Sequence, residues 1–119
     1  MKIIEHIVEA IARATSYIEP LPSMKTFERN PQAQDAVIRN IEIIGEAATK
    51  TQKQAPEFVK AHPELPWSDM RGMRNKVIHH YFDVDLPVVW STVKDDLPKL
   101  KQQIDRLLTD MKRDPDRER

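Results

Sequence analysis

The sequence predicts an all-α protein, an antiparallel bundle of four main helices and one short helix. Only two glycines occur among the 119 residues, and apolar residues rarely alternate with polar ones, so extended strands are disfavoured. Apolar side chains instead recur every three to four residues over long stretches, as is typical of amphipathic helices. Prolines separate these stretches and mark where helices end.

The first part of the chain predicts one amphipathic helix followed by a loop. The expected helix spans residues 2–19 and carries an apolar stripe along one side. Pro20 stops this helix, because proline lacks the backbone donor that a helix interior needs. A loop then leads to Asn30, which we expect to cap a second helix that has Pro31 at its first position.

The second expected helix runs to about Gln54. Gly45 stands in its interior at a cost of about 1 kcal/mol relative to alanine, and we expect close packing against another helix to be the reason. A short helix is expected at residues 57–61, between prolines. Three polar residues of the second helix should either support the neighbouring motif helix or pair with one another: Arg39, Asn40 and Glu46.

The third and fourth main helices complete the bundle. The third is expected to begin near Trp67 and to end around Tyr81. After a connector, Asp85 should cap the last helix, whose apolar residues follow a near-heptad spacing that suits packing within this chain or against a second copy. Pro98 should kink that helix or open one of its turns. A single domain is therefore predicted over residues 1–111, and the charged tail at 112–119 is expected to fray.

The charges of the chain are balanced. Lysine and arginine total 19, as do aspartate and glutamate, so a basic coat is excluded and any contact with nucleic acid must be local. The absence of cysteine excludes disulfides and thiolate zinc sites and fits a reducing compartment. No apolar run of about 18 residues is long enough to span a membrane. The beginning of the chain lacks the apolar core of a signal peptide, so we expect a cytoplasmic protein.

One segment of the chain, residues 70–82, departs from this balance of positive and negative charges. Residues 70–82 contain three cationic residues, two histidines and no acid, which suits a site that holds a phosphate and moves a proton. On one continuous helix Arg71, Asn75 and His79 share a stripe, whereas Arg74 lies roughly 140° around the axis from His79. We therefore expect a homodimer in which Arg74 of one chain and His79 of the other face a shared cleft.

These residue types suit RNA cleavage without a metal or other cofactor. His79 can exchange a proton with the ribose 2′-OH or the leaving 5′-oxygen. Arg74 can bond two phosphate oxygens at once, and Asn75 can orient either group. Arg71 either adds phosphate affinity or faces solvent. No acidic cluster is present to hold magnesium. A metal site would need four histidines, whose spacings match no known site: His6, His62, His79 and His80.

Several motifs in the same order resemble HepT-like proteins of the HEPN superfamily, the toxin half of HEPN/MNT toxin–antitoxin pairs. They are residues 36–47, residues 65–67 with 72–81, and residues 83–85 with 89–90 and 96–98. The resemblance implies an all-helical, dimeric ribonuclease that acts on tRNA or mRNA. Arg74 and His79 match the catalytic pair of that family, and His80 matches a variable position. Tyr81 matches the tyrosine that the partner MNT-type nucleotidyltransferase modifies with AMP, which silences the toxin.

Some alternatives stay open at this point. Tyr81 can also be an ordinary core aromatic, or it can stack on a base in the unmodified protein. Trp67 and Trp90 are expected to be packing anchors. The second candidate function is a non-catalytic subunit that presents a nucleotide or protein substrate to the nucleotidyltransferase. The presence of both Arg74 and His79 favours the enzyme.

Overall fold

The computed structural model describes residues 2–80 and 83–113, and this part of the chain is built almost entirely of helices. The all-α prediction is therefore confirmed, with one two-stranded hairpin added. In chain order the elements are α1 (Lys2–Ile18), α2 (Met24–Glu28), α3 (Pro31–Gln54), α4 (Pro56–Ala61), α5 (Trp67–Val77), β1 (Ile78–His80), β2 (Asp83–Val84), α6 (Leu86–Ser91), a π-helical turn (Thr92–Asp96) and α7 (Leu97–Arg113).

The core lies between α1, α3 and α5, and it is closed by the last segment of the chain. α3 is the central element, because α1 packs along one of its sides and α5 along another. The π-helical turn and α7 pack back against α1. The near-heptad residues of α7, such as Leu97 and Ile104, are fully buried within this chain. The near-heptad apolar residues of the last helix thus pack against other helices of the same chain.

Gly45 is the point where α3 approaches α5 most closely. A Cβ atom at this position would lie 3.1 Å from the backbone oxygen of Met70 and 3.5 Å from that of Arg71. The prediction that Gly45 permits close helix packing is confirmed. Gly72 differs, because nothing lies within 4 Å of a Cβ atom added there. The motif helix α5 is thus fitted tightly against α3 on one side and is open on another.

The predicted extension of the third helix to Tyr81 is wrong. α5 ends at Val77, and Ile78 is extended, with φ −121° and ψ 112°. Ile78 pairs with Val84 in the antiparallel hairpin, and both side chains are half-buried against the core. β-branched residues pack well on a pleated surface, which favours the strand at this point. Tyr81 itself lies outside the described residues.

A second difference concerns the predicted loop before Asn30, which contains the short helix α2. The Ser23 side chain caps this helix by accepting a hydrogen bond from the Thr26 backbone N–H at 3.4 Å. Phe27 is fully buried, and its ring centroid lies 5.7 Å from that of Trp90. Burial of this aromatic side chain holds a helix that is too short to be stable alone.

The predicted caps of α3 and α6 are confirmed. α7 continues to Arg113, two residues into the tail that was expected to fray, and residues 114–119 lie outside the described residues. The Asn30 side chain accepts a hydrogen bond from the Ala33 N–H at 3.0 Å, and the Asp85 side chain accepts one from the Val88 N–H at 3.2 Å. Pro98 follows the π-helical turn, in which the Leu97 N–H donates to the carbonyl oxygen of Thr92, five residues earlier. A locally open turn was expected at Pro98, because proline lacks the donor for a regular helix turn.

Candidate phosphate-binding and catalytic site

The C-terminal turn of α5 and the strand after it carry the predicted catalytic residues. Arg74 and Asn75 are exposed at the end of α5, and His79 is exposed in β1. The Arg74 guanidinium donates a hydrogen bond to the Asn75 side-chain oxygen at 3.3 Å. Of the two groups that Asn75 was expected to orient, the one that it contacts in the structure is Arg74.

The change from helix to strand after Val77 alters the direction and the distance between the Arg74 and His79 side chains. The expected angle of roughly 140° assumed a continuous helix through His79, and that assumption fails because α5 ends at Val77. Three helical steps and two extended ones separate the Cα atoms of Arg74 and His79 by up to about 12 Å. Two long side chains at that separation can reach one phosphate group. Helical geometry therefore no longer requires a second chain.

Arg71 lies on the side of α5 that faces α3. Its guanidinium donates a hydrogen bond to the Gln52 side-chain oxygen at 3.3 Å, and Arg71 remains exposed. Gln52 positions this cation while leaving other guanidinium donors open to solvent. Sequence reasoning did not single out Gln52, because it precedes Arg71 by 19 residues and no local spacing connects them.

Lys76 lies on another side of α5 and forms an ion pair with the π-helical turn. Its ammonium group lies 3.2 Å from a carboxylate oxygen of Asp96, and both side chains are about half exposed. Lys76 also lines a cavity of about 500 Å³ that Arg74, Asn75 and His79 do not line. The candidate catalytic side chains are thus exposed outside this cavity, which lies on another side of the same helix.

The three polar residues of α3 do not form a group beside the motif. Asn40 is buried and donates a hydrogen bond to the Ala36 carbonyl oxygen at 2.8 Å. Asn40 and Glu46 line shallow grooves between α1 and α3, and Arg39 is exposed. Among the described residues, these three side chains therefore do not support the motif helix. Their backbone still belongs to the helix on which α5 packs.

Of the four histidines considered as metal ligands, His6 and His62 lie in other segments than His79 and His80. His6 is exposed on α1, whereas His62 is buried and its ring contacts the Glu64 carboxylate at 3.1 Å. Within residues 2–80 and 83–113, no three acidic, histidine or cysteine side chains are grouped as metal ligands. The expected packing role of Trp67 is confirmed, because this side chain is buried and its indole N–H donates to the His62 carbonyl oxygen at 2.9 Å.

The described residues form a helical bundle in which Arg74 and Asn75 on α5 and His79 on β1 are exposed. In the described ranges, no helix combines the length and the apolar character needed to cross a bilayer. The model of one protein family, described as Ribonuclease HepT-like, matches residues 7–107.

The related proteins point to the same family. A protein of Thermococcus cleftensis named "Probable ribonuclease HepT" is 45% identical over 104 residues, which cover 84% of this chain and 91% of the relative. A "Putative RNase" of Caldanaerobacter subterraneus is 33% identical, covering 88% of this chain and 90% of the relative. No solved structure matches the chain significantly. The chain belongs to the HepT-like ribonuclease family.

Proposed function

We propose that this protein is a metal-independent endoribonuclease and the toxin half of a cytoplasmic HEPN/MNT toxin–antitoxin pair. One observation carries the proposal. Arg74 and Asn75 in the last turn of α5 and His79 in β1 are exposed in a chain of the HepT-like ribonuclease family. We expect the target to be tRNA or mRNA.

The chemistry follows from the properties of the two charged groups. His79 removes the proton of a ribose 2′-OH while that oxygen attacks the adjacent phosphorus. The bond from phosphorus to the 5′-oxygen breaks, and the leaving oxygen takes up a proton from water. Arg74 donates two hydrogen bonds to the non-bridging oxygens, whose charge grows in the transition state, and Asn75 holds the guanidinium in place. The products are a cyclic 2′,3′-phosphate and a 5′-hydroxyl end.

A second copy of the chain would supply what one copy lacks. Arg74 and His79 are exposed in a single chain and do not line the cavity of about 500 Å³. Exclusion of water strengthens the contacts of charged groups with phosphate, and an opposing subunit would exclude it. We therefore keep the composite dimer site in the proposal, because the second subunit would shield the bound phosphate from water.

Mixing two inactive variants tests this composite site. In buffer with EDTA, the wild type is expected to cleave RNA, whereas Arg74→Ala and His79→Ala homodimers are expected to be inactive. After subunit exchange, half of the dimers contain one chain of each kind, and each of these has one intact site. Cleavage should return to about a quarter of the wild-type rate.

Two results would contradict the parts of this proposal separately. If each chain holds its own Arg74 and His79 at one phosphate, the mixture stays inactive although subunits exchange. If EDTA stops cleavage by the wild type and added magnesium restores it, metal independence is wrong. Sedimentation equilibrium supplies the control, because a fully active monomer would exclude the dimer site.

The off-switch that we propose is modification of Tyr81. The partner nucleotidyltransferase transfers AMP from ATP to the phenolic oxygen and releases pyrophosphate. Tyr81 follows His79 by two residues, so the added phosphate stands near the cations that hold RNA and competes with it.

Tyr81→Phe is expected to block this modification. The chain has a matched control, because its only other tyrosine is Tyr17, which is 42% exposed on α1. With the nucleotidyltransferase and ATP, intact mass spectrometry should show adenylate on the wild type and on Tyr17→Phe, but not on Tyr81→Phe. Adenylate on Tyr81→Phe would place the modification elsewhere.

A further inference from the structure

The two arginines of α5 contact a different kind of acceptor from the ion-paired cations of the chain. The Arg71 guanidinium donates to the side-chain amide oxygen of Gln52, and that of Arg74 donates to the amide oxygen of Asn75, each at 3.3 Å. An amide oxygen orients a guanidinium group without cancelling its charge, so both arginines keep a full charge for an external anion. The ion-paired cations contact carboxylates instead: Arg13 with Glu9, Lys60 with Glu57, Lys76 with Asp96 and Lys101 with Asp105.

No carboxylate neutralises these two guanidinium groups within residues 2–80 and 83–113. The one acid of α5, Asp69, lines the cavity on another side of the helix, as do Lys76 and Asp96. Arg71 and Arg74 are three residues apart, so their side chains are neighbours on the surface of α5 and repel each other. Bound anions would offset this repulsion.

The packing of α5 on α3 fixes the position of Arg71. Its backbone oxygen would lie 3.5 Å from a Cβ atom added at Gly45 of α3, so the two helices are in close contact at this residue. Gln52 is half-buried on the same helix, seven residues after Gly45. α3 thus holds both the backbone and the guanidinium of Arg71. A donor that is already oriented loses less conformational entropy on binding than a free side chain does.

We propose that Arg71, oriented by Gln52, binds a second phosphate of the RNA strand, next to the phosphate that is held at Arg74. Each guanidinium can donate two parallel hydrogen bonds to one phosphate. Cβ atoms three residues apart on a helix are separated by roughly 5–6 Å, and successive phosphates of a nucleic-acid strand are separated by a similar length. The assignment to a strand that is cleaved rests on the proposed function, whereas a phosphate site at Arg71 does not.

Dinucleotides that differ by one terminal phosphate test this site. The probes are uridylyl-adenosine, the same molecule with a 5′-phosphate, and the same molecule with a 3′-phosphate. Each contains a single cleavable phosphodiester, which must lie at Arg74, so the added phosphate reports on one neighbouring position. With wild type, one of the two added phosphates is expected to raise kcat/KM at least about tenfold, because charge-assisted hydrogen bonds are the strong ones. The effective probe shows the direction of the strand along α5.

Substitutions at the two residues should lower this phosphate-dependent gain by different amounts. Arg71→Gln should reduce the ratio of kcat/KM between the two probes to about one, because glutamine has no charge. Gln52→Glu should reduce it nearly as far, since a carboxylate there would pair with Arg71. Gln52→Ala should reduce it less, because the guanidinium keeps its charge and loses only its orientation. Arg106→Gln is the matched control, because it removes the same charge from an exposed arginine of α7 and should leave the ratio unchanged.

Binding measured by calorimetry separates this inference from the proposed cleavage. Probes with a 2′-O-methyl group on the uridine lack the attacking hydroxyl, and the same terminal phosphate should raise their affinity for wild type and not for Arg71→Gln. Equal kcat/KM for all three cleavable probes would overturn the inference and leave the ribonuclease proposal standing. An Arg71-dependent gain in affinity, in a protein that cleaves no RNA, would overturn the ribonuclease proposal and leave the phosphate site standing. A gain that is unchanged in Gln52→Ala and Gln52→Glu would exclude Gln52 as the positioning residue.

Discussion

His79→Ala is expected to slow RNA cleavage by at least about a hundredfold, because general acid–base catalysis by a positioned side chain contributes about 10² to 10⁴. The side chain is exposed in β1, so its removal should leave the folded structure and its melting temperature nearly unchanged. Single-turnover cleavage of a labelled RNA in EDTA measures the effect. A rate equal to that of wild type would exclude His79 as the acid or base.

Two further variants separate a catalytic loss from a general loss of charge. His6→Ala removes another exposed histidine, on α1 and away from the motif, and should cleave like wild type. Arg74→Lys retains the positive charge but loses the planar pair of donors, so it should cleave more slowly than wild type and faster than Arg74→Ala. Equal rates for Arg74→Lys and wild type would show that only the charge at this position matters.

Gly45→Leu is expected to destabilise the protein by at least about 2 kcal/mol, because inserting atoms into packed interiors typically costs about 1–3 kcal/mol and a backbone oxygen cannot move aside as a side chain can. The first added atom would already lie 3.1 Å from the carbonyl oxygen of Met70. α3 and α5 must then separate, which also displaces the motif helix. Urea unfolding with a fixed m-value measures the loss.

The same substitution at Gly72 provides the control. Nothing lies within 4 Å of an added Cβ atom there, so only the gain in helix propensity acts, at most about 1 kcal/mol. Gly45→Leu and Gly72→Leu should therefore change the free energy of unfolding in opposite directions. Loss of stability in both would mean that leucine itself, rather than the contact between α3 and α5, is responsible.

Local patterns predicted most of the fold. The Asn30 and Asp85 caps, the prolines after them and the open turn before Pro98 depend on atoms within a few residues of one another, so the sequence displays them directly. The candidate site was predicted as a set of residues in the same way. Arg74, Asn75 and His79 lie within one segment of six residues and are all exposed in the structure.

Contacts that reach beyond one helical turn explain where the predictions were wrong. The end of α5 depends on Ile78 pairing with Val84, and on the Asp85 N–H donating to the Val77 carbonyl oxygen at 2.8 Å. Helical periodicity continues through this segment and does not reveal those partners. The short helix α2 depends in the same way on burial of Phe27.

The sequence by itself determined the helical class of this protein, the capped ends of its helices and the identity of the residues proposed to hold and cleave RNA. Only the tertiary structure decided that His79 lies beyond the motif helix and that the cavity lies on another side of that helix from Arg74. It also brought Lys76 to Asp96, which follows it by 20 residues. The physical reason is the separation along the chain over which each kind of interaction acts. Caps and propensities act within a turn, whereas strand pairing, ion pairs and cavities require segments that meet only after the chain folds.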